Sequence, residues 1–482
     1  MTLSVRYVDK MTAEPNRRTR TIMVFTPTRR PELTNVRRTN LWTSLTRLME
    51  QGGVFISVLG TTKLGKSTLI RDALTTAAVT PYIPGQQLDK EGESALWARL
   101  AAALEIPASQ QKGKVTGNKA RWGVLARLGI GFSGTGASVT SSIGGEEHTD
   151  NSTSVTYDID TPTAVTEALN LASQKAREDG ENPPVIAIDD FHFVTDPGKR
   201  REIILALRPL ADADVTVLLA TLPGRETDAG FTDTNIGGRH QPLTVPTWNI
   251  EELTKIATIG FGKLKVTAPP DVTRRLARES HGSPQIMQQL CLNLCRDVNG
   301  VEDDASGVEV LKGPDDWNSF FRTIEDTHSL KWLQLLRGGL RARRERNFYE
   351  DDNGVRYDGY QLILFALHKL GSPDEIKFTQ LKSKVAEIVK MRSSALGKYA
   401  LEQKVRNMDI LASRDMTNAL ERLADSEADT EDSLFTDEEI GLANLVPQPV
   451  LEAVDSGNDM TIRILDPLLA YALKWHPEAI HS

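Results

Sequence analysis

The sequence predicts an α/β protein built on a parallel sheet, and three observations carry that prediction. An apolar run bounded by glycines, 54–59, leads into Gly60-Thr61-Thr62-Lys63-Leu64-Gly65-Lys66-Ser67, which opens a helical pattern. A second apolar run, Val185-Ile186-Ala187-Ile188, ends in Asp189-Asp190. Strand-like and helix-like runs alternate through the first half of the chain, the rhythm of a sheet covered on both faces.

The elements follow in order. Residues 39–51 put Leu41, Trp42, Leu45, Leu48 and Met49 on one helix face. The helix after the glycine-rich loop is expected over 66–78, a strand near Tyr82, and a helix over 94–104. Residues 185–188 and 216–220 read as buried strands, and 241–246 as one more. The segment 129–160 breaks the rhythm. It is rich in Gly, Ser and Thr and alternates at Ala137, Val139, Ser141 and Ile143, then again at Val155, Tyr157 and Ile159. An inserted β-hairpin fits it, and so does a surface loop. Beyond Trp248 short helices are expected over 251–259, 271–279 and 284–298, then a polar linker over 303–316. Helices over 360–370, 378–389 and 415–423, a hairpin of 450–454 with 460–464, and a helix running to Trp475 complete the chain. The implied plan is a basic N-terminal arm (1–35), a nucleotide core (36–248, with 129–160 inserted), a helical lid (249–302) and a C-terminal helical domain (315–482). No repeat of solenoid period is present.

Composition narrows the class. A chain of 482 residues exceeds one ordinary core. With 39% apolar and 25% charged residues it is neither disordered nor fibrous. The longest apolar runs, 215–222 and 362–367, fall far short of the roughly 18 residues of a spanning helix. Residues 1–12 carry no apolar core, so a cytoplasmic protein without a membrane partner is expected. The two cysteines, Cys291 and Cys295, share a helix face and read as packing residues. A net charge of −8, from 57 basic and 65 acidic residues, weighs against nonspecific coating of nucleic acid. Yet Arg17, Arg18, Arg20, Arg29, Arg30, Arg37 and Arg38 crowd the N-terminal segment, and Arg337, Arg341, Arg343, Arg344 and Arg346 form a second cluster. Such patches suit DNA contact, solvated helix faces and subunit interfaces alike.

The chemistry sits in the loop. Gly60 to Ser67 fits the phosphate-binding pattern at every fixed position, with Thr68 following in the helix. Glycines let successive N–H groups face a phosphate, and the helix N-terminus adds its positive end. Lys66 offers a point charge to the outer phosphates and Ser67 a hydroxyl to magnesium. Asp189 is the expected second magnesium partner and Asp190 the general base toward the attacking water. Thr221, at the tip of the neighbouring strand, is a candidate γ-phosphate sensor. Arg239 is a candidate arginine finger acting on a neighbouring subunit, with Arg225 in reserve. His192 is expected to pack or hydrogen-bond locally.

Together with His281-Gly282-Ser283-Pro284 in the lid, these residues resemble the AAA+ superfamily. They are most similar to the signal-transduction ATPases with numerous domains (STAND) and to origin-recognition-like and archaeal ATPases. Two aspartates closing the acidic strand, and the Gly282-x-Pro284 lid, are the details that favour this branch. The resemblance implies ATP and Mg2+ as ligands, Pro284 near the nucleotide base, and a winged-helix C-terminal domain. Gln285 stands where the AAA+ lid arginine usually lies. No nuclease, protease, deaminase or TIR pattern is present. The function implied is an ATP-driven switch that assembles into a homo-oligomer and signals to a separate effector, as in prokaryotic antiviral defence. The alternative is an ATP-dependent DNA-binding regulator of the origin-recognition or transposition type.

Overall fold

The computed structural model describes residues 18–106, 161–194, 196–223, 231, 236–324, 327–338, 347–391, 398–412, 450–457 and 459–481. The expected insertion (129–160), Arg225, the expected helix 415–423 and the second arginine cluster beyond Arg337 lie outside them. The chain divides into two compact units, one formed by Arg37–Pro246 with Ser413–Pro449, the other by Met1–Val36, Thr247–Ala412 and Val450–Ser482.

The second unit begins the chain. A single turn, α1 (Thr21–Val24), carries Val24 and Phe25 into a core otherwise built from residues beyond 247. The Thr21 amide donates to Glu302 O (2.9 Å) and its hydroxyl to Val301 O (2.6 Å). Gln288 receives the Thr26 amide (2.9 Å) and donates to Thr34 Oγ1 (2.9 Å). What reads as a basic arm is therefore, from residue 18 onward, a structural strap. Phe25 is fully buried, edge-on to Phe261 at 5.6 Å. Phe25→Ala should cost about 3–5 kcal/mol, the range for emptying a buried aromatic site, read as a lowered denaturant midpoint. An unchanged midpoint would mean that the strap does not hold this core.

The first unit is the expected α/β body. It contains α2 (Thr39–Glu50), β1 (Phe55–Leu59), α3 (Lys66–Leu74), β2 (Tyr82–Pro84), α4 (Glu93–Ala103), α5 (Thr161–Asp179), β3 (Val185–Asp189), α6 (Pro197–Asp212), β4 (Thr216–Thr221) and β5 (His240–Thr244). Among the described residues the five strands form one parallel sheet in the order β2-β3-β4-β1-β5. Every residue of β1, β3 and β4 is buried, which is why they read as unbroken apolar runs. Phe55, Ile186, Ile188, Val217 and Leu219 share a core with α4, α5 and α6. The alternate residues Ile56, Val58, Ala187 and Leu218 are equally buried, and the pleat turns them to the opposite face. The one hydroxyl inside β1, Ser57, is satisfied by His240 Nε2 at 2.7 Å. Helix α3 stops at Leu74 rather than 78. The Thr75 and Thr76 hydroxyls bond Asp72 O (2.7 Å) and Ala73 O (2.8 Å), capping the last turn with side chains.

The rest of the second unit holds α7 (Ile250–Lys263), α8 (Pro270–Glu279), α9 (Pro284–Asn293), α10 (Trp317–Arg322) and α11 (Thr327–Gly338), then the hairpin β6 (Phe348–Glu350) with β7 (Arg356–Asp358). Next come α12 (Gly359–Lys369), β8 (Glu375–Lys377), α13 (Phe378–Ile388), α14 (Lys398–Ala412), β9 (Leu451–Ser456), β10 (Asp459–Ile464), α15 (Pro467–Trp475) and α16 (Glu478–His481). Strands β8, β10 and β9 form an antiparallel sheet. Helix α14, Lys398–Ala412, has no counterpart in the sequence reading, and the expected helix 415–423 is not among the described residues. The segment 303–316 is tied down, with Leu311 buried and its amide bonded to Thr267 O at 2.8 Å. No described helix is long and apolar enough to cross a membrane.

Candidate nucleotide site

The loop is shaped by its backbone. β1 ends at Leu59, and a side chain on Gly60 would place its Cβ 2.9 Å from Val245 O, so only glycine lets the chain turn there. Lys63 (φ 60°) and Gly65 (φ 83°) are both left-handed, and they curl the segment between. Leu64 is buried and anchors the loop from beneath, while Thr61, Lys63 and Gly65 stay partly open. Thr62 is buried. Lys66, Ser67 and Thr68 form the first turn of α3.

Lys66 is 5% exposed, and its ammonium donates to Gly60 O (2.7 Å) and Thr61 O (2.8 Å). The lysine thus folds back over its own loop. Burial lowers its pKa to about 8, against the opposing pull of Asp190 and then Asp189.

The acid strand closes the site from one strand away, with β4 between it and β1. Asp189, the last residue of β3, is buried, and its Oδ1 accepts from the Asp190 amide at 3.1 Å. Asp190 adopts a left-handed conformation (φ 52°), uncommon outside glycine though tolerated by aspartate. Burial, then the Asp189 charge, pushes its pKa up to about 6, while Lys66 pulls it down. The three charged groups therefore share one electrostatic neighbourhood. Thr221 ends β4 and is buried, and the Gly60 amide donates to its carbonyl at 3.3 Å.

The structure thus gathers Gly60 to Thr68, Asp189, Asp190 and Thr221. Arg239 is not gathered with them. It precedes β5, whose first residue His240 pairs with Phe55 at the start of β1, so it stands at the opposite end of the strands from the loop. There it is half-exposed and ion-paired with Asp212 at 2.6 Å. Pro284 opens α9 in the other unit, where Ser283 caps the helix through the Ile286 amide (3.4 Å). His192 is buried and stacks on Phe193 at 4.8 Å, the packing role expected of it.

Sequence reasoning missed Tyr82 and Gly85. The Tyr82 hydroxyl donates to Asp189 Oδ2, and Gly85 lies so close that an added Cβ would sit 2.5 Å from Asp190 O. Nothing in the local sequence marks either residue, because the contact arises only when β2 pairs with β3.

For magnesium, the donor set fits. A serine hydroxyl and a carboxylate are hard oxygen ligands, and magnesium in nucleotide sites takes one or two carboxylates plus phosphates. Among the described residues no group of three or more His, Cys, Asp or Glu could hold a metal unaided.

No protein-family model and no curated protein matches the chain. Similar solved structures include Cdc6p from Pyrobaculum aerophilum, 13% identical with a TM-score of 0.36 over 96% of this chain and 100% of that one. The ORC2 protein of Aeropyrum pernix, solved with ADPNP and ADP, is 13% identical with a TM-score of 0.42 over 95% of this chain and 96% of that one. The Aeropyrum pernix ORC1 protein in complex with DNA is 11% identical, with a TM-score of 0.37 over 96% of both chains.

Proposed function

We propose that the chain binds and hydrolyses ATP and works as a switch, assembling into a homo-oligomer that signals to a separate effector. The observation that supports the nucleotide reading best is the convergence of Lys66, Asp189 and Asp190 beside a left-handed loop at the start of α3. Loop amides and the helix N-terminus receive the phosphates. Lys66 swings from the Gly60 and Thr61 carbonyls to the outer phosphate oxygens. Ser67 and Asp189 would hold magnesium, which when bound neutralises phosphate charge. Asp190 accepts a proton from the water that attacks the γ-phosphorus as the bond to the β-phosphate oxygen breaks. Thr221, at the adjoining strand tip, is the residue closest in topology to report the γ-phosphate.

The test begins with the wild-type protein and a fluorescent ATP analogue. Saturable binding with magnesium is expected, and no binding would end this reading. If Arg239 reaches a neighbour's nucleotide, hydrolysis per subunit rises with protein concentration. Arg239→Ala alone should bind ATP but turn over poorly, and mixing it with Lys66→Ala should restore part of the activity. A mixture no more active than its components would remove Arg239 from the reaction.

One observation favours a second reading, a DNA-binding regulator. Among the described residues, α12, β8, α13, α14, β9 and β10 follow in an order compatible with the winged-helix domain that the sequence resemblance implies, which supports this reading. Salt-sensitive binding to duplex DNA is the measurement that would favour it.

A further inference from the structure

Strand β2 is the edge of the sheet and only three residues long, yet it is built against the acidic turn. Pro84 pairs with Asp189, and Tyr82, two residues earlier on the same face, lays its ring toward the same carboxylate. Its hydroxyl donates to Oδ2 while the Asp190 amide takes Oδ1, so both oxygens of Asp189 are held. A terminal carboxyl torsion is otherwise broad and roughly two-fold, and two donors from opposite sides fix it. The ring is itself held: the Arg71 guanidinium lies over it at 4.5 Å. Arg71 comes from α3, four residues after Ser67, so it lies one helical turn from the serine expected to meet magnesium. Gly85 then brings the chain against the Asp190 carbonyl, where no side chain fits. Burial, and next the Asp189 carboxylate, raise the Tyr82 pKa well above its ordinary value, so the phenol remains a donor.

We propose that Tyr82 is a positioning residue for the magnesium-nucleotide site: with Arg71 over its ring, it sets the Asp189 carboxylate in the orientation that receives the metal's hydration shell. This rests on the ATP reading above. Purely structural roles for the same contacts would tie β2 to β3 without bearing on the metal.

The two roles separate in binding, with no need for turnover. The fluorescent ATP analogue is titrated into wild type and Tyr82→Phe in EDTA, then over a magnesium series. Loss of an outer-shell partner typically weakens metal affinity by about 10–100-fold. Tyr82→Phe should therefore keep its EDTA affinity within about 2-fold while needing roughly 10-fold more magnesium for half-maximal enhancement. Arg71→Ala, a change at an exposed helix position, should show the same magnesium-specific signature more weakly. It also decides the matter if Tyr82→Phe does not fold. Equal losses with and without magnesium, or no loss in either, would overturn the positioning role. Absence of binding by wild type in EDTA and magnesium alike would instead fault the ATP reading.

Discussion

Replacing Lys66 by alanine should weaken ATP binding by at least about 100-fold while leaving the protein folded. Charge-assisted hydrogen bonds contribute about 1.5–3 kcal/mol each, so two to the phosphates amount to roughly 3–6 kcal/mol. Part of that is offset, because the ammonium first gives up the Gly60 and Thr61 carbonyls. The remainder still spans two or more factors of ten at about 1.4 kcal/mol each. Stability should not fall. Lys66 is a desolvated cation at 5% exposure, and removing it removes a burial cost. An unaltered melting point with lost binding would show that the loop has kept its shape. The wild-type pH profile gives an independent check. The unliganded lysine titrates near 8, and phosphate favours its charged form. Affinity should therefore hold at neutral pH and decline as pH rises through about 8. The mutant should be flat across that window. A folded Lys66→Ala protein that held ATP as tightly as wild type would falsify the phosphate-loop assignment.

The parts of this site legible in the sequence are those whose chemistry is local. Gly60, Gly65 and Lys66 are dictated by backbone curvature and charge within eight residues, and β1, β3 and β4 announce themselves as apolar runs. Short or long-range features were not legible. β8 spans only Glu375–Lys377, too few residues for alternation to register. Helix α14 carries a period, with Leu401, Val405, Met408 and Leu411 all buried, yet the sequence reading placed no element there. The N-terminal strap was masked by its arginines. Its buried residues, Val24 and Phe25, meet partners more than two hundred positions away, as Phe25 meets Phe261. Tyr82 belongs to the same class. A tyrosine in a three-residue strand has no signature until its register against Asp189 is known. Arg239 shows the reverse limit. Its place before a strand could be read, but not its ion pair with Asp212 at the end of the strands away from the loop.

Replacing Asp190 by asparagine should leave ATP bound and slow its hydrolysis by about 100-fold or more, the usual range for a lost general base. Asparagine is the informative change because the residue is left-handed at φ 52°. Asn adopts that conformation as Asp does, whereas alanine would add backbone strain to the loss of the carboxylate. Binding should change little, since Lys66 and the loop amides remain. Removing a negative charge beside the incoming γ-phosphate acts in its favour. Wild-type turnover carries the matching pH signature. The carboxylate accepts a proton only when ionised, and its folded-state pKa lies near 6. Turnover should therefore stand at its plateau near neutral pH and fall as pH drops through about 6, roughly tenfold per unit below it. The residual activity of Asp190→Asn should lack that acid limb. The mutation also withdraws the largest charge holding Lys66 protonated. The alkaline decline of ATP affinity should then begin at lower pH than in wild type. If the mutant turned over at the wild-type rate with its acid limb intact, the proton acceptor would be another group, and Asp189, one residue away and already held by Tyr82, would be the next to test.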